Sequence, residues 1–377
     1  MRKIAFSGTL DPITNGHLWV IGEARALADE VVVFISENPF KKPLFSATQR
    51  KSIVEEAVTE SGWNNVNVVL VRGDYTSRAA KRQGIDYMIR GIRNTSDFDY
   101  ENLLQQANVD VVEGAKTLFV MPPRDLGSVS STFVRGLQGP VGWHWSMQTF
   151  VPKAAYRAWI LAWLRKEWEE LWNYVSLDAA GVANADNWFI ELTSAHAYGA
   201  PHRAYHNLDH LVHGLSELTV WAANTDPDPS SIRAVKAAFW FHDAVHESPK
   251  GSVSNEEASA QMWLSSNLQG VNQQQVADLI RCTDHSQTSL EKPPLADVML
   301  GADLAILGQS EAIYGAYCVS VRREYDWVEE GAYRAARRNV LESFISAAEN
   351  KQLFSDLYFK ELYEQNALQN LRCEVSG

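Results

Sequence analysis

At 377 residues, with 46% hydrophobic side chains, the chain exceeds the size at which one core keeps growing, so two domains are expected. The net charge of −12 is unevenly spread: residues 1–150 carry 16 basic and 16 acidic side chains, so all the excess acidity lies in residues 151–377. The lack of a broad basic face argues against nucleic acid as a partner, and neither a charged-then-apolar leader nor a membrane-length apolar run is visible; small phosphorylated ligands and a soluble, cytoplasmic protein are expected.

Short β-branched runs at 4–6, 31–35, 66–71, 87–89 and 117–120 alternate with helical patterns at 16–28, 46–60, 76–83 and 97–113. This alternation predicts a parallel sheet covered by helices on both faces, with ligands beyond the carboxyl ends of the strands. The first strand runs into Ser-Gly-Thr-Leu-Asp-Pro-Ile-Thr-Asn-Gly-His, residues 7–17. Gly8 permits a sharp turn and close approach, Thr9 offers a hydroxyl and Pro12 stiffens the loop. Gly16 opens a helix whose N–H groups and dipole favour an anion, and His17 can reach the same phosphate. An ordinary strand-to-helix loop carrying a stray histidine is the plain alternative.

Further along come Asn-Pro-Phe-Lys-Lys-Pro (38–43), Arg-Gly-Ile-Arg (90–93), Ser-Asp-Phe-Asp-Tyr-Glu (96–101) and Ser-Ser-Thr (130–132). Together with the first turn, and in this order, they resemble the phosphopantetheine adenylyltransferase family over nearly all of the first 150 residues. The resemblance implies that the 4′-phosphate of phosphopantetheine attacks the α-phosphorus of ATP, releasing pyrophosphate, with magnesium present. It assigns His17 to the transition-state phosphate, Lys41 and Arg90 to the acceptor phosphate, and Thr9 to a bridge between the substrates. The ATP site would take Thr9, Leu10, His17, Gly91, Ile92, Arg93 and Glu101, with Ser130, Ser131 and Thr132 cradling the β and γ phosphates. Solvated lysines and a simple N-cap are the plain alternatives for Lys41 and for 130–132. Leu10 stands where the family carries Phe, and Ser128 replaces a bulky aromatic. Gly73 to Arg78, including Thr76 as a substrate contact, replaces an apolar stretch that contacts the pantetheine arm in the family. An acidic, hydroxylated wall there favours a more polar acceptor, for instance a mononucleotide.

A glycine-rich passage, 136–142, interrupts the pattern, and after Pro152 amphipathic helices dominate, as in Trp159, Trp163, Leu164, Leu171 and Trp172. Domains of 1–152 and 153–377 are therefore expected. Eleven of the 13 tryptophans fall at or after Trp143, which reads as a bulky helical core. Eight of the ten histidines lie at or after His196. His206 and His210, four apart on one helix, can face one site; His242 and Asp243 end an apolar helix, and Asp303 sits in an apolar stretch. Imidazoles and carboxylates converging from separate helices suit a divalent metal. Cys282, Cys318 and Cys373 lie far apart without paired spacing and are expected to be reduced.

Tyr-His-Asn-Leu-Asp-His, Phe-His-Asp-Ala-Val-His, Ser-Asn-Glu-Glu and Gly-Ala-Asp-Leu-Ala-Ile-Leu-Gly, spread over roughly 155–370, resemble the HD superfamily of metal-dependent phosphohydrolases. The resemblance implies a site for Mn2+, Mg2+, Fe2+ or Ni2+ made by His242, Asp243, Asp303 and one of His206 and His210. His210 is favoured as the ligand and His206 as the proton donor to the leaving oxygen, with His246, Glu256 and His285 as supporting groups. The expected protein is thus an α/β doubly wound parallel-sheet nucleotidyltransferase domain followed by an all-α HD domain, a bifunctional homo-oligomer acting on small phosphorylated metabolites. A second reading makes the helical half a metal- or nucleotide-binding regulatory module without turnover.

Overall fold

The computed structural model describes residues 1–37, 42–110, 114–246, 253–284, 292–350 and 352–376. They form two compact units, Met1–Trp159 and Ile160–Gly377, divided inside the helix that begins at Lys153.

In the first unit, β1 (Lys3–Gly8), β2 (Glu30–Ser36), β3 (Val66–Val71), β4 (Tyr87–Gly91) and β5 (Lys116–Val120) form one parallel sheet in the order β3-β2-β1-β4-β5. The central strands are apolar in their middles, residues 4–6 and 31–35, because helices cover both faces, and Ala5, Val32, Phe34 and Met88 lie in a common core with Ala79 and Ala80. β1 runs longer than its apolar stretch because its ends still pair: Lys3 lies opposite Glu30 and Gly8 opposite Ile35. The helices between strands are α1 (Asn15–Leu27), α2 (Ala47–Glu60), α3 (Thr76–Arg82) and α4 (Thr95–Asp110). Of the helix expected over 97–113, residues 111–113 lie outside the described set. α5 (Ser131–Gly136) and α6 (Trp143–Gln148) complete the unit before α7 (Lys153–Leu171). Because β1 is followed in space by β2 on one side and β4 on the other, the winding reverses between β1 and β4. In such sheets the crevice at that reversal, beyond the carboxyl ends of the strands, receives the ligand.

The described residues of the second unit are helical. α8 (Ala179–Thr193), α9 (Leu208–Thr225), α10 (Pro229–Phe241), α11 (Asn255–Ser265), α12 (Gln273–Arg281), α13 (Ala296–Leu304), α14 (Glu311–Glu324), α15 (Glu330–Glu349) and α16 (Leu357–Ser376) follow α7 in order, with 3-10 turns at Tyr174–Ser176 and Ala305–Gly308. The tryptophans supply the core: Trp168, Trp240 and Trp263 are fully buried, Trp168 meets Trp240 edge-on at 4.8 Å, and Trp172 stacks on Trp263 at 6.0 Å. The indole N–H groups of Trp168 and Trp263 reach the carbonyls of Ala185 and Gln273 at 3.0 and 2.9 Å, which satisfies their polar edge. Removing one such ring to alanine costs about 3–5 kcal/mol. Asp228 caps α10 through the amides of Ser230 and Ser231, and Pro229 occupies the first turn, where its missing N–H is no loss. α9 and α10 touch where Gly214 faces Phe239; a Cβ at Gly214 would lie 1.8 Å from the ring. That close approach lays the Phe239 ring against His210 and His242, with centroids 5.4 and 4.5 Å away.

Candidate functional site

At the winding reversal of the first unit lies a cavity of about 390 Å³ lined by the end of β1, the start of α1, Arg90 and Gly91 of β4, Glu101 of α4 and residues 130–132. Thr14 caps α1, and His17, at the third helical position, closes the cap: its Nδ1 accepts the Thr14 amide at 3.0 Å. An accepting Nδ1 places the ring proton on Nε2 in the neutral tautomer, so the histidine is pre-set as a donor. Arg90 donates to the Ser7 carbonyl at 2.7 Å and pairs with Glu101 at 3.5 Å, which holds its guanidinium beside the β1 loop. Arg93 is tied to Asp97 at 2.7 and 3.2 Å.

Two residues with no assigned role organise this loop. The buried Asp11 accepts the amides of Leu44 and Phe45 at 2.8 and 3.0 Å and pairs with Arg135 of α5 at 3.2 Å, joining three chain segments. Arg50, buried and with its basicity lowered by that burial, donates to the carbonyls of Thr9, Ser36 (3.0 Å) and Phe45 (3.2 Å). The β1 loop is therefore held by backbone-directed hydrogen bonds from outside it.

Thr9, Leu10, His17, Arg90, Gly91, Arg93, Glu101, Ser130, Ser131 and Thr132 all line the one cavity. Ile92 is buried, with its amide on the Val120 carbonyl, and does not line it. The hydroxyls at 130 and 131 serve the fold: Ser130 Oγ caps α5 through the Phe133 amide at 3.1 Å, and Ser131 Oγ donates to the Pro12 carbonyl at 2.8 Å. Thr76 meets Ser7 hydroxyl to hydroxyl at 3.3 Å, outside the cavity lining. The acidic side chain beside it is paired, since Asp74 meets both Arg78, at 3.5 Å, and Arg82, which leaves this trio with one net positive charge. Lys41 lies outside the described residues.

In the second unit, four atoms converge. His210 Nε2 and His242 Nε2 face each other at 3.0 Å; Asp243 Oδ2 lies 3.5 and 3.1 Å from them, and Asp303 Oδ1 lies 3.4 Å from each. The Nδ1 of His242 bonds the Phe239 carbonyl at 2.9 Å, which turns a lone pair of the neutral ring toward the centre. Burial alone would raise Asp243 and Asp303, but the surrounding imidazoles hold both well below the usual carboxylate range. The ligand atoms of His210, His242 and Asp303 lie within 4.8 Å of one another with Asp243 Oδ2 beside both imidazoles, a donor set that fits a divalent cation.

His206 is not on the helix with His210. Asn207 caps α9 by accepting the Asp209 amide at 2.8 Å, so the helix begins at Leu208 and His206 falls in the preceding turn. The two rings still lie 5.9 Å apart, but His206 stands outside the four-atom group. It is held by Glu324, which sequence reasoning did not identify: one carboxylate oxygen accepts the amides of Tyr205 and His206 at 2.8 Å each, and the other meets His206 Nδ1 at 2.7 Å. With both oxygens engaged, Glu324 is better suited to orienting His206 than to joining a second cation site with His246. Burial opposes charge on both partners, yet Glu324 is brought down to about 2 and His206 is raised. His246 stacks on His206 at 4.1 Å, and burial with that neighbour lowers it to about 3.

Arg203, also unforeseen, links the two turns, donating to the carbonyls of Asp243 (2.6 Å), Ala244 (2.9 Å) and His206 (3.3 Å). A cavity of about 640 Å³ opens over the group; His206, His242, Asp243, His246, Glu256 and Asp303 line it together with α14 and α15. His285 lies outside the described residues.

Comparison with known proteins bears on the first unit. A cytidylyltransferase-like family model matches residues 5–137. The phosphopantetheine adenylyltransferase of Chromobacterium violaceum is 38% identical over 157 residues, 42% of this chain and 94% of that protein. Those of Neisseria meningitidis serogroup B (35% over 155 residues, 41% and 90%) and Histophilus somni strain 129Pt (37% over 161 residues, 42% and 96%) are similar in the same way. The chain belongs to the phosphopantetheine adenylyltransferase family. Its relatives match about two-fifths of its length, and the cavity at the β1–β4 reversal falls inside the span of the family model. Membership agrees with the parallel five-stranded sheet and its flanking helices. No helix among the described residues is long and apolar enough to cross a membrane.

Proposed function

We propose that the first unit transfers the adenylyl group of ATP to 4′-phosphopantetheine, and that the second is an HD-type metal-dependent phosphohydrolase, the domains being 1–152 and 153–377. The first reading is carried by His17, whose Nδ1 is consumed by the α1 cap while its ring lines the cavity with Arg90. An oxygen of the acceptor phosphate bonds to the α-phosphorus, the bond to the bridging oxygen of the β-phosphate breaks, and pyrophosphate leaves. Such transfer asks the protein to position two anions and to offset the charge between them. His17 donates to the transferring phosphate, Arg90 with Lys41 holds the acceptor, and Thr9 bridges both substrates. Gly91, Arg93 and Glu101 border the nucleotide, with Ile92 packed behind them. With the Ser131 O–H spent on the Pro12 carbonyl, the β and γ phosphates of the magnesium complex fall to the Ser130 and Thr132 hydroxyls and to backbone amides. With two arginines on the one Asp74 carboxylate, this stretch is not the acidic wall that favoured a more polar acceptor. Pyrophosphate release from ATP should be brisk with 4′-phosphopantetheine and slow with nicotinamide mononucleotide; the reverse order overturns the assignment.

The second reading is carried by the four-atom group of His210, His242, Asp243 and Asp303. A divalent ion such as Mn2+ or Fe2+ held there supplies Lewis acidity toward water and the phosphoryl oxygens. His206, bound at Nδ1 by Glu324, keeps Nε2 for the cavity and hands a proton to the departing ester oxygen. Arg203 and Tyr198 fix the Asp243 backbone, which keeps the carboxylate aimed at the imidazoles. Plasma-emission analysis should find bound transition metal, and phosphate should be released from a phosphomonoester panel. Bound metal without release across the panel would make the unit a regulatory module.

A further inference from the structure

The lining of the 640 Å³ cavity changes character with the element that supplies it. The turn before α9, the segment that follows α10, α11 and α13 bring the imidazoles and carboxylates, whereas α14, α15 and the turn between them bring Val321, Tyr325, Trp327, Tyr333, Val340 and Phe344. Arg337 is the cation on that wall, and its charge is already matched: Nε and Nη2 donate to Glu374 at 2.8 and 3.1 Å, and Nη1 to the Tyr317 hydroxyl at 3.2 Å. Trp327 is 56% exposed and Val340 45% exposed, in a unit that buries Trp168, Trp240 and Trp263 completely. Large apolar side chains left open to water inside a concave site are what a ligand covers.

We propose that the substrate of this site is a phosphomonoester whose alcohol carries a flat, apolar ring system, with its phosphate at the His-Asp group and its ring against the α14–α15 wall. This rests on the hydrolase reading above. A compact, strongly hydrated alcohol would lose water against these rings without compensation, whereas a flat apolar body covers them and stacks on Trp327. On turnover the water oxygen bonds to phosphorus, the ester P–O bond breaks, and the proton goes to the ring-bearing alcohol.

The test uses the full chain with Mn2+ and two non-hydrolysable probes, (2-naphthyl)methylphosphonate and ethylphosphonate, titrated by calorimetry. The naphthyl probe should bind at least about tenfold more tightly. Trp327→Ala should erase most of that ratio, and Trp327→Phe should restore it. Equal Kd values in the parent protein, or a preference untouched by Trp327→Ala, overturn the proposal. Phosphate release from (2-naphthyl)methyl phosphate is followed in parallel. Release accompanied by equal phosphonate affinities removes the ring wall and keeps the hydrolase. A clear phosphonate preference with no release removes the hydrolase, and with it the assignment of a substrate, leaving a ring-binding surface.

Discussion

The two cavities are proposed to handle opposite charges, and they are built differently. The one in the sheet unit must hold anions, and its polar equipment is a strand-end loop, a capped helix start and side chains such as Arg90 that lean on backbone carbonyls. Residues near one another in sequence can supply most of it, because a parallel strand followed by a helix already aims N–H groups at one point. The cavity in the helical unit is proposed to hold a cation, and no single segment offers enough lone pairs. His210, His242, Asp243 and Asp303 arrive on α9, at the end of α10 and on α13, and their meeting depends on how closely those helices pack. Local geometry makes the first site, and helix packing makes the second.

The sharpest break between them is the double variant His242→Ala, Asp243→Ala. Metal content and phosphate release should fall to background while pyrophosphate formation from ATP stays at the parent level, as plasma emission and paired activity assays would show. A matching loss of pyrophosphate formation would mean that the sites are not independent. On the other side, His17→Ala should slow adenylyl transfer by about 10²–10³-fold and leave phosphate release intact. His17→Gln separates chemistry from capping: a glutamine at this position can still close the α1 cap, so thermal stability should recover while the rate does not.

Glu324→Gln tests the link between His206 and the rest of the helical cavity. It should lower kcat for phosphate release about tenfold with little change in KM or bound metal, read by steady-state kinetics and metal analysis. The sign of its pH dependence follows from the carboxylate. A group brought from 4.5 down to about 2 contributes stability that is fully present above 4.5 and is lost as the pH falls toward 2. The stability difference between parent and variant, measured by denaturant melts, should therefore shrink across that window. The smallest effect concerns the thiols. Burial, aided by Asp303 and Glu374, pushes Cys282 and Cys318 up to about 12, so both stay protonated at pH 8, and iodoacetamide should label the exposed Cys373 first by mass spectrometry.

The sheet was legible because a fully covered parallel strand is a run of β-branched residues, and its alternation with helical patterns leaves few topologies. Legibility failed where a bond crosses the chain. Asp11 and Arg135 are 124 positions apart and carry no common pattern, yet their pairing holds the first loop. Ser130 and Ser131 look alike as phosphate ligands in sequence, and only the folded loop reveals that Ser131 spends its O–H on the Pro12 carbonyl while Ser130 accepts the Phe133 amide and keeps its own O–H to donate. In the helical unit, spacing put His206 one turn before His210, but Asn207 competes for the helix start and moves His206 into a turn. Glu324, 118 residues beyond His206, left no signal of its own.

By itself, the sequence determined the order of strands and helices, the tryptophan-rich helical core and the residue types present at each cavity, because hydrophobic period and turn chemistry act over a few neighbouring residues. The tertiary structure alone decided which histidine joins the four-atom group, which serines remain for a ligand and what walls the second cavity. Those outcomes depend on distances between atoms far apart along the chain, and only packing sets them.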